Sequence, residues 1–165
     1  MFAFVALGSN LGDSAQVLRD AMARLQAFSD LPLSRSSCWQ TAPVDCPPGA
    51  PPFLNAVVGL VPRASETPES LLEKLRALER EFGRQPKIIL NEPRPLDLDL
   101  IAFGDAIRDT QTLALPHPRA HLRRFVLAPL NEIAPDLILP RHNQSVAEML
   151  AQLPAADAVR QEDKP

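Results

Sequence analysis

The sequence predicts an α+β fold in which an antiparallel sheet carries two helices on one face. Three observations lead there. Apolar runs of strand length alternate with two helical stripes in the order β-α-β-β-α-β. The connections inside that order are short enough for neighbouring strands to pair antiparallel. The C-terminal third changes to shorter pieces, which suit a cover for the sheet's second face.

Phe2–Leu7 is apolar and ends at Gly8, as a buried strand does. Asp13 or Ser14 then caps a helix whose stripe is Val17, Leu18, Ala21, Met22, Leu25 and Phe28. Leu33–Thr41 reads as a weaker strand around Cys38 and Trp39. The stretch Ala42–Pro52, APVDCPPGAPP, is so rich in proline that it reads as a stiffened loop. Phe53–Val61 is the next strand. Thr67 and Pro68 open a helix with the stripe Leu71, Leu72, Leu75, Leu78 and Phe82, stopped by Gly83. Leu96–Phe103 is the fourth strand of the order, and Gly104-Asp105 turns the chain into a short return strand. From Leu113 the pieces ALPHPRAHLRRFVLAPLNEIAP read as irregular. Ser145–Leu153 is a last helix with Ser145 and Glu148 in a capping-box pattern. This is the ferredoxin-like element order, with added C-terminal helices and a short hairpin.

At 165 residues the chain is long enough for one domain with its own core, taken as residues 1–154, with 155–165 as a frayed tail. The net charge of −3 speaks against nucleic acid as a partner. Cys38 and Cys46 lack metal-type spacing and read as two thiols in a reducing compartment. The apolar N-terminus has no basic flank and is too short for a leader or a membrane span, so a cytoplasmic location is expected.

Candidate chemistry centres on PRPLDLDLIAFG, Pro93–Gly104. Strand alternation puts Asp97 and Asp99 on one face and Leu96, Leu98 and Leu100 on the other. Roughly 6.5 Å separates the carboxylates along the strand. At an effective dielectric of about 20 they repel by on the order of 2.5 kcal/mol. A fully wet face, one protonated carboxyl or a bound cation would each relieve this. Arg84, Arg94, His117, Arg119, Arg123 and Arg124 surround the pair in sequence. Carboxylates for a hard cation and guanidinium forks for phosphate suit a magnesium–polyphosphate complex, while plain ion pairing among them is the competing account. With repulsion dominant, removing either aspartate is expected to leave the empty fold intact or firmer.

Elsewhere, LGSNLGD (Leu7–Asp13) lacks the spacing of a phosphate loop, though Gly8 can bring backbone close to a flat ligand. Phe53 and Asn55 share a strand face, an aromatic beside an amide. No serine sits in a nucleophile elbow. An RNA-binding module with the same element order is disfavoured, because the acidic strand carries the wrong charge and no aromatic RNA-binding stretch is present.

Four pieces in order, LGSNLGD, FLNAVV, PRPLDLDLIAFG and LPHPR…RRFVLAPLNEIAP, resemble the 6-hydroxymethyl-7,8-dihydropterin pyrophosphokinases of folate biosynthesis. The resemblance implies transfer of pyrophosphate from ATP to the pterin's hydroxymethyl group, with release of AMP. It implies two Mg²⁺ ions arriving with ATP at Asp97 and Asp99, with Arg84 and Arg94 beside them as catalytic groups. Glu79, Arg94, Leu100, His117 and Arg123 then fall on ATP positions. Gly8, Thr41, Ala42, Val44, Phe53, Asn55 and Phe125 fall on the pterin side. It implies a cytosolic monomer with two loops, Ala42–Pro52 and Arg84–Arg94, closing over ATP. The family resemblance implies an arginine-rich loop before the acidic strand, but here its middle holds Pro86, Lys87 and Leu90, with an arginine that usually helps drive the transfer absent at Leu90, so a weakened ATP- and pterin-binding relative is the alternative reading.

Overall fold

The computed structural model describes residues 1–41, 48–85, 93–154 and, by backbone alone, 159–161. Strand β1 (Ala3–Ser9) is followed by helix α1 (Ser14–Leu25) and a 3₁₀ turn (Gln26–Phe28). Two short strands come next, β2 (Ser34–Arg35) and β3 (Trp39–Thr41), and then β4 (Phe53–Leu60). Helix α2 (Pro68–Glu81) leads to β5 (Asp97–Phe103) and a hairpin of β6 (Arg108–Asp109) and β7 (Ala114–Leu115). The chain ends with α3 (Arg124–Ile133), α4 (Val146–Gln152) and β8 (Val159–Gln161). The main sheet runs β5-β1-β4-β3-β8, with β2 also on β4, and every pairing is antiparallel.

Local chemistry explains the helix starts. Asp13 accepts the Gln16 N–H at 3.1 Å at the head of α1. Thr67 and Ser70 form a reciprocal cap on α2 with Pro68 just inside. Ser145 and Glu148 do the same on α4, as their spacing predicts. Such a cap is worth about 1 kcal/mol.

Two apolar clusters hold the sheet between helices. Ala3, Val5 and Leu7 of β1, Leu54, Ala56 and Val58 of β4, and Leu98 and Leu100 of β5 face one side. There they meet Leu18, Met22 and Leu25 of α1 and Leu71, Leu75 and Leu78 of α2. Phe4, Val57, Ile101 and Ala102 face the other side, against Val126, Leu127 and Leu130 of α3 and Val146 and Met149 of α4. The C-terminal third therefore covers the second face. A bulge in β5 pairs Val5 with Leu100 but Phe4 with Ala102, so Ile101 and Ala102 both turn to the second cluster. No helix among the described residues is long and apolar enough to cross a membrane.

The structure differs from the sequence reading in four places. Leu33–Thr41 is two strands, because Ser36 leaves the ladder: its hydroxyl accepts the Val57 N–H at 2.9 Å while its own N–H reaches Val57 O. The strand after Gly104 pairs with β7 rather than returning along β5. The irregular stretch contains α3, a ten-residue helix with Pro129 inside. Proline disfavours a helix interior, but here the buried stripe of Val126, Leu127 and Leu130 prevails. Within the stretch expected to fray, Val159–Gln161 pairs with β3, whose outer edge offers unmatched backbone groups.

Candidate active site

The register of three strands builds the site. Gly8 of β1 pairs with Asp97 on one side and with Asn55 on the other. Asp97, Gly8 and Asn55 thus line up across the sheet, on the face that α3 only partly covers. A side chain at Gly8 would stand 3.2 Å from Asn55 Oδ1, 3.8 Å from the Phe53 ring and 4.0 Å from Asp97 Cβ. Glycine leaves a shallow floor between an acidic end and an aromatic-amide end. Asn55 donates to Thr41 Oγ1 at 2.9 Å, which fixes the amide's orientation across the β3–β4 ladder. Phe125, in the first turn of α3, lies under the Arg123 guanidinium, 5.5 Å from ring centre to Cζ.

Around Asp97 the arginines close in. Arg84 bonds Asp97 Oδ1 at 2.7 Å, and Arg94 lies 3.3 Å from Oδ2. Arg84 also pairs with Glu79, whose Oε1 accepts the Leu98 N–H at 2.7 Å. Asp99 is held more loosely, 3.9 Å from Arg123, and more than a third of its side chain is exposed. Arg94 stacks over Phe53 at 5.5 Å, so one guanidinium touches both ends of the floor. Its Nε is buried and finds no partner among the described residues.

Electrostatics follow this geometry. Burial raises Glu79 to about 7, against the pull of the Leu98 N–H and Arg84. Lost hydration and then Asp97 push Asp99 above the usual carboxylate range, with His117, Arg123 and Arg94 pulling back. Burial pushes His117 down while Asp99 opposes it. Burial also works against the charge on Arg84, but Asp97 and Glu79 outweigh it and hold the guanidinium firmly protonated. His117 is anchored by its own N–H to Ile101 O at 2.8 Å, and its Nδ1 accepts from Arg119 N–H at 3.2 Å.

Most of the sequence candidates converge here. Arg84, Arg94, Asp97, Asp99, His117 and Arg123 form the charged end, and Gly8, Thr41, Phe53 and Asn55 form the other. Leu100 stands apart: its side chain is buried in the first cluster, on the face away from the site. Ala42, Val44, Cys46, Pro86, Lys87 and Leu90 lie outside the described residues. Two arginine partners speak against removing Asp97 at no cost to the empty fold, whereas Asp99 has only the 3.9 Å ion pair with Arg123. One residue escaped the sequence reading. Asn10, almost fully buried, accepts the Arg94 N–H at 2.9 Å and reaches Pro51 O at 3.4 Å, tying the first turn to the arginine segment. An asparagine directly after a strand, two residues past a glycine, was its only signal.

Paired carboxylates, clustered arginines and an adjoining aromatic slot thus share one face of an antiparallel sheet. Residues 4–135 match the family model of 7,8-dihydro-6-hydroxymethylpterin-pyrophosphokinase, and the chain belongs to that family. A Synechocystis 2-amino-4-hydroxy-6-hydroxymethyldihydropteridine pyrophosphokinase is 39% identical over 153 residues, covering 92% of this chain and 75% of the relative. The Pseudomonas aeruginosa enzyme of the same name is 38% identical over 155 residues, with 92% and 91% covered. Against the Schizosaccharomyces pombe folic acid synthesis protein the identity is 34% over 154 residues, but the chain spans only 20% of that protein. A Plasmodium falciparum HPPK-DHPS crystal structure with pterin and p-hydroxybenzoate superposes with a TM-score of 0.74 at 11% identity. That superposition covers 99% of this chain and 48% of the other, and it speaks for the fold alone. The activity is accordingly the family's, a pyrophosphokinase step of folate biosynthesis.

Proposed function

We propose that the two ends of the Gly8 floor are the two substrate sites of the transfer, with the triphosphate of ATP at Asp97 and Asp99 and the pterin at Phe53 and Asn55. One observation carries this: the register Asp97–Gly8–Asn55. Adjacent strands lie about 4.8 Å apart, so about 10 Å separates the acidic and amide positions. A phosphate chain over one and a fused ring over the other would meet above the residue that has no side chain.

The donor set fits magnesium. Two carboxylates offer hard oxygen ligands, and no larger His, Cys, Asp and Glu cluster exists among the described residues, so phosphate oxygens and water would complete the coordination. The reading takes two ions, arriving with the nucleotide. Bound there, magnesium supplies charge that offsets the carboxylates and the triphosphate. The chain's own groups do the rest. Arg84, Arg94 and Arg123 present forks to phosphate oxygens, and Arg94 Nε, without a partner among the described residues, is a donor for one. His117 and Glu79 complete the ATP side, as does the main chain at Leu100. Phe53 and Phe125 sandwich the ring, while Asn55, oriented by Thr41, reads its polar edge. Positioned so, the hydroxymethyl oxygen bonds to the β-phosphorus, the bond to the bridging oxygen of AMP breaks, and the hydroxyl proton passes to solvent.

The reading also takes the core as ferredoxin-like, with β2 and β3 together in place of one strand. The strand order β5-β1-β4-β3 and the shared face of α1 and α2 support it. Residues 1–154 are taken as one domain around one sheet, acting as a cytosolic monomer, which light scattering checks. Incubation with ATP, Mg²⁺ and 6-hydroxymethyl-7,8-dihydropterin should give AMP and the pterin diphosphate. Formation of ADP instead, or of nothing by folded protein, would refute the assignment.

A further inference from the structure

The motif RRFVLAPLNEIAP contributes Arg123 and Phe125 to the site, but its glutamate has no part in the chemistry above. Glu132 lies about two turns along α3 from Phe125, on the same side of the helix. Its carboxylate reaches across to the edge of the sheet. Oε2 accepts the Ser37 N–H at 3.1 Å and the Ser37 hydroxyl at 2.9 Å. Oε1 accepts the indole N–H of Trp39 at 2.5 Å. One side chain thus gathers three donors from residues more than ninety positions earlier in the chain.

Those donors flank the slot. Trp39 is paired directly with Asn55, and Thr41 with Phe53, so Trp39 and Thr41 project from the same sheet face as the slot residues. Strand β3 is only three residues long and gives Asn55 its Thr41 partner. It has three register positions on β4 and three on the terminal strand β8. Glu132 fastens it to the helix whose first turn carries Phe125.

We propose that Glu132 is a positioning residue for the pterin slot: it ties Ser37 and Trp39 to α3 and so fixes the Thr41–Asn55 wall relative to Phe125. The proposal rests on reading that face as the pterin site. It makes a distinction that general loosening of the fold would not, because the ATP end is built mainly from α2, β5, the Arg94 segment and His117, none of which Glu132 touches, and its one contribution from α3, Arg123, sits at the far end of the helix from Glu132.

The test compares wild type, Glu132→Gln, Trp39→Phe and the double variant, measuring KM for ATP and for 6-hydroxymethyl-7,8-dihydropterin together with kcat. A displaced wall should raise the pterin KM of Glu132→Gln by about tenfold, with the ATP KM changed by less than about twofold. Trp39→Phe should do the same to a smaller extent. Because the Trp39 bond is one of the three that Glu132 accepts, adding Trp39→Phe to Glu132→Gln should change the pterin KM little further. An unchanged pterin KM in folded variants, or equal rises in both KM values, overturns the proposal and leaves the substrate assignment standing. Should Glu132→Gln fail to fold, Trp39→Phe decides by the same split. Wild-type protein that transfers nothing overturns the assignment and this proposal with it.

Discussion

Asp97 and Asp99 look interchangeable in the sequence, yet their partners predict opposite effects on the stability of the empty protein. Asp97→Asn takes away the anionic partner of Arg84 at 2.7 Å and of Arg94 at 3.3 Å, both side chains being largely buried. A charge-assisted bond contributes about 1.5–3 kcal/mol, the longer contact less, so the loss is about 3–4 kcal/mol. Relief of carboxylate repulsion returns part of this. The 2.5 kcal/mol or so computed for a separation of about 6.5 Å falls to about 1–2 once solvent around Asp99 screens it. The net result is a loss of about 2 kcal/mol. Asp99→Asn gains the same relief and gives up only the 3.9 Å contact with Arg123, about 0.5 kcal/mol at a partly exposed site, for a net gain of about 1 kcal/mol. Urea unfolding at pH 8 in EDTA, followed by far-UV circular dichroism, measures both. With a slope of about 2 kcal/mol per molar, the midpoint should fall by about 1 M for Asp97→Asn and rise by about half that for Asp99→Asn. Shifts of the same sign and size would refute the reasoning, because the two carboxylates would then share one environment.

Three further outcomes are expected. With ATP, Mg²⁺ and pterin supplied, Asp97→Asn and Asp99→Asn should each lower kcat by at least about a hundredfold despite their opposite stabilities, as AMP release will show. Glu79 titrates near 7 in the folded protein against an ordinary 4.5, so the stability it contributes is full below 4.5 and lost as pH rises through about 7. Glu79→Gln, which cannot ionise, should therefore gain on wild type by about 3 kcal/mol between pH 4.5 and 8 in paired urea titrations; a constant difference would contradict this. Gly8→Val should fill the floor against Asn55 Oδ1 and Phe53, raising the pterin KM at least about tenfold in steady-state assays.

How much of this was legible in the sequence depends on the range of the forces involved. Local rules set the caps at Asp13, Thr67 and Ser145, and all three formed where spacing placed them. Alternation separated Asp97 and Asp99 from Leu98 and Leu100 and survived folding, because burial fixes strand register. C-terminal helices were expected, but the bounds of α3 were not legible, since Pro129 breaks the local pattern and contact with Phe4 and Val57 of the sheet restores it. The site was legible as a list of residues and not as a set of bonds. Nothing local reveals that Asn10 meets Arg94, or that Glu132 meets Trp39, across more than eighty residues of chain.

The bonds supply what the list lacked, an account of why an apolar strand tolerates two carboxylates before any metal arrives. In the empty protein Asp97 is paired with Arg84 and Arg94, and Asp99, its proton affinity raised, has Arg123 as its ion-pair partner at 3.9 Å with His117 and Arg94 beyond it. The arginines are therefore already at the charged end, held by the anion that is present. Under the proposed placement of the substrates, a triphosphate with its metal would bring a larger anion for the forks and a cation for the carboxylate, so the exchange of partners would keep charge balanced throughout. Binding then does not have to desolvate a bare arginine cluster or a bare acidic pair, either of which would cost several kcal/mol. The exchange also predicts a dependence on side-chain shape. Arg94→Lys keeps the charge near Asp97 but loses the fork and the planar stacking over Phe53. It should raise the KM for ATP and the KM for pterin together, unlike any substitution confined to one end of the floor. A change in only one of the two would show that Arg94 does not link the sites.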